Sequence, residues 1–553
     1  MLPVFLAVVV AAPAALPQAR AVEAGEVQEQ SCPTGAAGDS CNGGAGQPDG
    51  KDYYWPHARG HPGRYGSTTF LGPLNLSASE AWVWQPPERH IMPGATLFDE
   101  ARNLYVTSME GVWKFSPDGQ VIWHYTGDGH GHSHANPSLM NGALFGSTLS
   151  GVSFALSMET GKERWSVKNF EEVETDTPSV EASDGMVFAI GDKRATKSLP
   201  WLPGNTRIVA MGAKDGRRLW EHKSDEVLWN FHPMFVGDGT FVMMDVHGGV
   251  YRVAMVDGKI LWHTPPPAEF TQSFSDGGVI LGPGNSVAYT CSSKGTSFDD
   301  RGGALRAYRV SDGQLLWDRD LPQPCVSWPA VDANNRTVVV PIGPLPFPIP
   351  PTLVLAYSTI WVVMCIPALH VAIFLLSRLF NLPVPKKLRT CFCCLDILAI
   401  IGFPFLHLIS IWLGQEQYRL WQIKVKPMEV HAFDAQTGEP RWRFDDIQPW
   451  GKVNCRNDEE EFLQHKLKGH DSRPVCGPAS WSSPTIDGRG TVFVAGMNGI
   501  FYAIRDADGD GIINSKTEVS QLDIGSASLH GGAAFAPGLM AFSSCNRLHV
   551  FQT

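Results

Sequence analysis

Clustered basic charge is missing from this chain. Among 553 residues there are 44 Lys and Arg against 55 Asp and Glu, a net charge of −11, and the basic residues are spread rather than gathered into runs. Nucleic-acid binding draws its affinity from clustered Lys and Arg, so nucleic acid is excluded as a partner. Charged residues are only 18% of the chain, while 56 Gly and 41 Pro make up about a sixth of it. That composition disfavours a helical bundle and reads as turn-rich rather than disordered. Cysteine is sparse, with 11 in all, and Cys393 and Cys394 are the only two that are adjacent. What the chain does have is 18 Trp, and their placement is the main clue.

Residues 1–21 have the form of a signal peptide: an apolar stretch from Leu2 to Leu16, then Ala19-Arg20-Ala21, a small-x-small cleavage site. The stretch is too short to span a bilayer and has no basic start, which leaves a retained anchor or transit peptide as alternatives. Residues 22–80 are Gly-rich and polar, with Cys32 and Cys41 close enough to suggest a bridge, and read as a partly ordered lead-in.

One phrase recurs: an apolar strand, a small residue, Asp-Gly or Thr-Gly, two to four residues, then Trp. It appears as Phe115-Ser-Pro-Asp-Gly-Gln-Val-Ile-Trp123, Leu156-Ser-Met-Glu-Thr-Gly-Lys-Glu-Arg-Trp165 and Met211-Gly-Ala-Lys-Asp-Gly-Arg-Arg-Leu-Trp220. It returns in Val253–Trp262, Tyr308–Trp317 and Phe433–Trp442. Asp-Gly is a strong hairpin signal because Gly takes positive φ without penalty, so each phrase predicts strand, tight turn, strand. Successive Trp are 42, 55, 42, 55 and 125 residues apart. A four-stranded propeller blade takes roughly 40–50 residues, so the first four intervals hold one blade each and the fifth holds a blade plus an insert.

Counting units from Pro93, Pro137, Pro178, Pro233, Phe274, Pro329, Pro484 and Gly531 predicts an all-β, eight-bladed β-propeller of four-stranded antiparallel blades, with seven blades as the alternative. The last unit has three strands before Thr553, and Ala81-Trp-Val-Trp84 is available as its fourth. Closure of that kind removes exposed sheet edges. These phrases resemble the pyrroloquinoline quinone (PQQ) enzyme repeat, found in eight-bladed quinoprotein dehydrogenases and in non-catalytic relatives such as the bacterial outer-membrane assembly lipoprotein. The resemblance covers residues 81–343 and 428–553. It implies the fold; a fold hosts many activities, so it does not by itself imply one.

Residues 344–427 interrupt the pattern. Thr352–Leu376 is 25 residues without a charge, about 37 Å as a helix, enough for a hydrocarbon core of about 30 Å. Cys391–Leu413 is 23 residues and contains Asp396. Its apolar residues outweigh the roughly 3 kcal/mol that a central Asp costs on insertion. Both segments read as membrane helices of a two-helix transmembrane hairpin. The linker 377–390 carries Arg378, Lys386, Lys387 and Arg389 and no acid, which predicts a cytoplasmic linker and a luminal or extracellular propeller. An unspliced stretch of coding sequence is the alternative.

The chemical candidates are few. Asp506, Asp508 and Asp510, with Gly511, the Ile512 carbonyl and Glu518, look like a calcium loop spanning 506–518: alternating carboxylates converge on a hard cation while Gly permits the sharp turn. The twelfth position is Thr517 rather than Glu, so an acidic hairpin turn is the alternative. His130, His132 and His134 could hold a transition metal, though a Gly-spaced loop seldom fixes coordination geometry. First-strand starts line a propeller's channel and nominate His134, Asp176, His232, Trp328, Trp481 and His530 as a cofactor-binding funnel. Of seven cysteines outside the hairpin, proximity suggests pairing Cys32 with Cys41 and Cys455 with Cys476. Asn75 and Asn335 are glycosylation acceptors.

By resemblance, a working quinoprotein would need PQQ on an aromatic platform, a bound Ca2+ and an Asp base. The family's alcohol dehydrogenases also place adjacent cysteines over the cofactor, whereas Cys393 and Cys394 fall at a membrane-helix end. The expected function is therefore a membrane-tethered, non-catalytic binding or scaffold module with a protein or glycan ligand and Ca2+. A PQQ-dependent alcohol or sugar dehydrogenase with a diverged site is the rival.

Overall fold

The computed structural model describes residues 53–343, 372–380, 428–447 and 481–553, apart from positions 64, 88–91, 93, 128–135, 172, 174–179, 201–202, 230, 271–272, 276, 296–301, 326, 374, 377 and 527–530. The strands form eight four-stranded antiparallel sheets, the blades of a propeller, so the count is eight and not seven. Blade 1 is β2 (Leu97–Phe98), β3 (Leu104–Ser108), β4 (Gly111–Phe115) and β5 (Val121–Tyr125). Blade 2 is β6 (Ser138–Met140), β7 (Ala143–Ser147), β8 (Val152–Ser157) and β9 (Glu163–Lys168), and blade 3 is β10 (Glu181–Ser183), β11 (Met186–Arg194), β12 (Gly204–Gly212) and β13 (Arg218–Lys223). Blades 4 and 5 are β14 (Met234–Phe235) to β17 (Ile260–Thr264) and β18 (Val279–Leu281) to β21 (Leu315–Leu321). Blade 6 is β22 (Ala330–Val331), β23 (Thr337–Ile342), β24 (Glu429–Asp434) and β25 (Pro440–Phe444), and blade 7 is β26 (Thr485–Ile486), β27 (Val492–Ala495), β28 (Ile500–Ile504) and β29 (Val519–Asp523).

Blade 8 takes β30 (Ala534–Ala536), β31 (Leu539–Ser543) and β32 (Leu548–Gln552) from the end of the chain and β1 (Glu80–Trp84) from its beginning. Trp82 pairs with Val550 and Trp84 with Leu548, which closes the ring. Inner strands are buried on both faces, as in β3 and β4, because each blade packs between two others. Outer strands alternate, as in β5, where Val121 and Ile122 are exposed and Tyr125 is buried. An antiparallel strand with one solvated face has that pattern.

The repeated Trp is what joins one blade to the next. Indole N–H groups of Trp82, Trp123, Trp165, Trp220, Trp262 and Trp317 donate to the carbonyls of Pro117, Met158, Ala213, Met255, Val310 and Ala435, at 2.7–3.2 Å. Each acceptor lies at the third-to-fourth-strand turn of the following blade. The indole also covers that turn's glycine: a Cβ on Gly216, at φ +68°, would sit 2.7 Å from the Trp165 ring. Only Gly supplies both the left-handed turn and the space for the ring.

Residues 53–68 run around the axis inside the ring, although the sequence reads there as a lead-in, and residues 76–79 form a helical turn beside the outer strand of blade 7, where the Leu76 amide donates to Ser520 Oγ. Carbonyls of Trp55, Pro56, Pro62, Gly63, Tyr65 and Gly66 accept from the backbone amides of Phe98, Leu139, Phe235, Leu281, Val331 and Ile486, one inner strand after another. Their polar backbones are thereby satisfied where water is excluded. The strap meets the inner strands at or beside their last residues, on the face that carries the first-to-second-strand turns.

The long insert leaves from the opposite face. It joins β23 to β24 without disturbing their ladder, since Ile342 and Glu429 are paired. Among the described residues no helix is long and apolar enough to cross a membrane. The expected helix Cys391–Leu413 lies wholly outside the described residues and Thr352–Leu376 does so up to residue 371; within 372–380, Leu375, Leu376, Leu379 and Phe380 are exposed. The expected signal peptide and the pairs Cys32–Cys41 and Cys455–Cys476 also lie outside them. A disulfide that the sequence did not suggest joins Cys291 of β19 (Val287–Ser293) to Cys325 in the connector to blade 6, with Cα atoms 5.7 Å apart.

Candidate functional site

Of the channel-lining candidates, His232, Trp328 and Trp481 fall within the described residues and Asp176, His134 and His530 outside them. His232 and Trp328 come together. Their rings meet edge to face at 5.0 Å, and both are buried. His232 Nδ1 lies 3.4 Å from Glu181 Oε1, and the other oxygen, Oε2, is 2.9 Å from His57 Nδ1, so one buried carboxylate sits between two imidazoles. Trp481 stands apart, donating to the Ile342 carbonyl at 3.0 Å and packing on Tyr502.

The side chain that organises the axis is Arg59, supplied by the strap and not suggested by the sequence. Its guanidinium lies 3.7 Å over the Trp328 ring, and Nε donates to Ser483 Oγ at 3.2 Å. Burial pushes Arg59 down to about 9, because a charge taken out of water is disfavoured. Stacking on an indole recovers part of that cost. No pattern in residues 53–60 announces this role; it depends on Ser483, 424 residues away.

A quinone cofactor can be tested against these groups. It needs an open aromatic face, and Trp328 is the candidate, but Arg59 covers that face and the indole is fully buried. A Cβ on Gly278 would already meet Trp328 Nε1 at 1.9 Å, so the ring is also held tightly at its edge. The described residues of the axis do not fit the cofactor, and no catalytic step is derived through it.

The calcium-loop candidate occupies the third-to-fourth-strand turn of blade 7, where blades 1 to 6 carry the Gly turn. Carboxylate oxygens of Asp506, Asp508 and Asp510 lie within 4.8 Å of one another. They accept backbone amides: Asp506 from Gly509 and Gly511, Asp508 from Asp510, and Asp510 from Ile512. Glu518 Oε2 accepts the Asn514 amide at 2.8 Å and Oε1 the Ala507 amide at 2.5 Å. Those amides hold the Glu518 carboxyl below its ordinary range. The structure thus brings the three aspartates together and gives Glu518 to the loop's own backbone. Ile512 pairs with Arg443 of β25, which docks the loop on blade 6. His130, His132 and His134 lie outside the described residues.

Beside this loop, between blades 6 and 7, is a cavity of about 470 Å³. Its wall includes Trp442, Arg441, Arg505, Asp332, Asp506 and Asp510. Arg441 is held by Asp434 at 2.7 Å, which keeps the Asp434 carboxyl down at about 2.

Comparison with known proteins agrees with the repeat pattern. The family model described as outer membrane protein assembly factor BamB matches residues 108–274 and 203–343. Outer membrane protein assembly factor BamB of Moranella endobia is 24% identical over 218 residues, 38% of this chain and 51% of that protein, so the chain spans about half the length of the curated relative it matches. The quinohemoprotein alcohol dehydrogenase of Comamonas testosteroni superposes with a TM-score of 0.54 at 10% identity, covering 92% of this chain and 81% of that one. Quinohemoprotein alcohol dehydrogenase ADHIIG of Pseudomonas putida HK5 gives 0.54 at 10%, covering 90% and 80%. Identities this low establish a shared fold.

Proposed function

We propose that this PQQ-like repeat propeller is a non-catalytic binding or scaffold module, held on the luminal or extracellular side of a membrane by a helical hairpin within residues 344–427. The observation that carries the reading is Arg59 stacked on Trp328: where a quinoprotein would need a free aromatic face, this chain has placed its own guanidinium. A matched relative named as an outer membrane protein assembly factor supports a protein ligand over a small-molecule substrate. Exposed Leu375, Leu376, Leu379 and Phe380 are in keeping with lipid contact beside the insert. The 506–518 loop binds Ca2+, as three carboxylates drawn together repel until a hard cation neutralises them. Metal there fastens blade 7 to blade 6, and the exposed loop takes no part in chemistry.

The test is reconstitution. Purified chain is incubated with PQQ and Ca2+ and assayed for dye reduction with alcohols and sugars. No turnover is expected; PQQ-dependent dye reduction would establish the rival, a quinoprotein dehydrogenase. In the same preparation Ca2+ is expected to raise the melting temperature, and Asp508→Asn to remove that rise.

A further inference from the structure

Six outer-strand indoles dock on the next blade through an N–H···O=C bond, and the seventh does not. Trp442 faces the 506–518 loop, which has replaced the glycine turn, and its N–H has no partner among the described residues. The ring is partly buried against the core of blades 6 and 7, as are Ile513 and Val519. The space that a tight turn would have closed remains as the cavity of about 470 Å³, within the range of roughly 300–1,000 Å³ of small-ligand sites.

We propose that this cavity is a saccharide site, a deeper statement of the binding-module reading and dependent on it. Its chemistry selects the ligand class. A pyranose has an apolar C–H face that stacks on an indole and a rim of hydroxyls, each both donor and acceptor. The wall supplies Trp442 for the first and guanidiniums and carboxylates for the second. The guanidinium of Arg505 and the indole N–H of Trp442 make no hydrogen bond among the described residues, so both stand as donors on the wall. Arg441 and Arg489 are already paired with Asp434 and Asp487, and Ca2+ on the 506–518 loop takes Asp506 and Asp510, which leaves Arg505 and Asp332 to meet a ligand. One donor group and one acceptor group beside an indole suit a neutral polyhydroxyl. The turns that form the wall are first-to-second and third-to-fourth connections, on the face opposite the insert. An insert in the bilayer leaves that face open to a glycan from the aqueous side.

The full chain in detergent is titrated with methyl glycosides of mannose, glucose, galactose and N-acetylglucosamine, and with maltose and chitobiose, following tryptophan fluorescence and saturation-transfer NMR. At least one sugar is expected to bind. Its affinity should fall at least tenfold in Arg505→Ala, a partly exposed position whose loss leaves the melting temperature unchanged, and further in Trp442→Ala. Failure of every sugar to bind overturns the assignment, as does binding that Arg505→Ala leaves within twofold. Either result spares the non-catalytic reading, which stands or falls on PQQ-dependent dye reduction.

Discussion

At the scale of single residues, the propeller's tyrosines record how completely its blades exclude water. Tyr105 donates to Asp99 at 2.9 Å, Tyr251 to Asp245 at 2.9 Å and Tyr289 to the Ala435 carbonyl at 3.0 Å. Burial first, and neighbouring carboxylates second, raise all three phenols above their ordinary value. Tyr308 is raised by burial as well, and Tyr65 is pushed up to about 12. The folded chain therefore keeps protons that the unfolded chain releases near pH 10. Their contribution to stability is complete below that pH and is lost as pH rises through the raised values. Absorbance at 295 nm should show at least four of the 11 tyrosines silent at pH 11 while circular dichroism remains native, and all ionised near pH 10 in guanidinium. A single native titration of every tyrosine near pH 10 would contradict the burial described. The same exclusion of water explains Arg59: its cost is tolerated because a ring and a hydroxyl receive it.

At the scale of elements, the docking turn is the unit that repeats, and two glycines separate its contributions. Gly185, in the turn from β10 to β11, has φ +75° and open space where a Cβ would stand; Gly216 has φ +68° with the Trp165 ring 2.7 Å from that position. Alanine at either site costs about 1 kcal/mol for the left-handed backbone. At Gly216 it also displaces an indole bonded at 2.9 Å to Ala213, adding roughly 1–3 kcal/mol. Urea unfolding should place Gly216→Ala at least about 1 kcal/mol below Gly185→Ala; equal stabilities would mean the indoles merely cover the surface. The hairpin was legible in the sequence because its Asp-Gly or Thr-Gly and its Trp lie within ten residues; the docking of that Trp on the next blade's turn, 48 residues on for Trp165 and Ala213, was not. The strap was not legible. Its groups bond to partners scattered through the chain, Arg59 to Ser483 and His57 to Glu181, and no local periodicity marks such contacts. The Cys291–Cys325 bridge was hidden for a similar reason, its partners being 34 residues apart with a blade's outer half between them. The aspartates of the 506–518 loop could be read as a cluster, but that the loop stands where a glycine turn should dock Trp442, leaving a cavity, follows only from the blades' spatial order.

At the scale of the whole molecule, the ring closes on β1 and β32 as the missing fourth strand required, and the insert is compatible with that closure because it enters and leaves at one point. Excision tests the tether directly. Removing residues 344–427 leaves Gly343 and Met428 between the paired Ile342 and Glu429, a two-residue loop with Gly first, the arrangement a type II′ hairpin turn takes. Propeller stability resides in blade packing and in the β1–β32 ladder, none of which the excision touches. The shortened chain should fold with a melting temperature within about 2 °C of the full chain, a shift corresponding to no more than roughly 2 kcal/mol for a domain of this size. It should also stay in the supernatant after high-speed centrifugation without detergent, while the full chain remains in the membrane pellet through an alkaline carbonate wash. Release of the full chain by carbonate would mean that the two apolar segments lie on a surface or pack elsewhere rather than span. Retention of the excised chain in the pellet would place the anchor outside the insert. Either outcome would remove the reason for assigning the propeller's two faces to membrane and water, and with it the expectation that the cavity between blades 6 and 7 opens to the aqueous side.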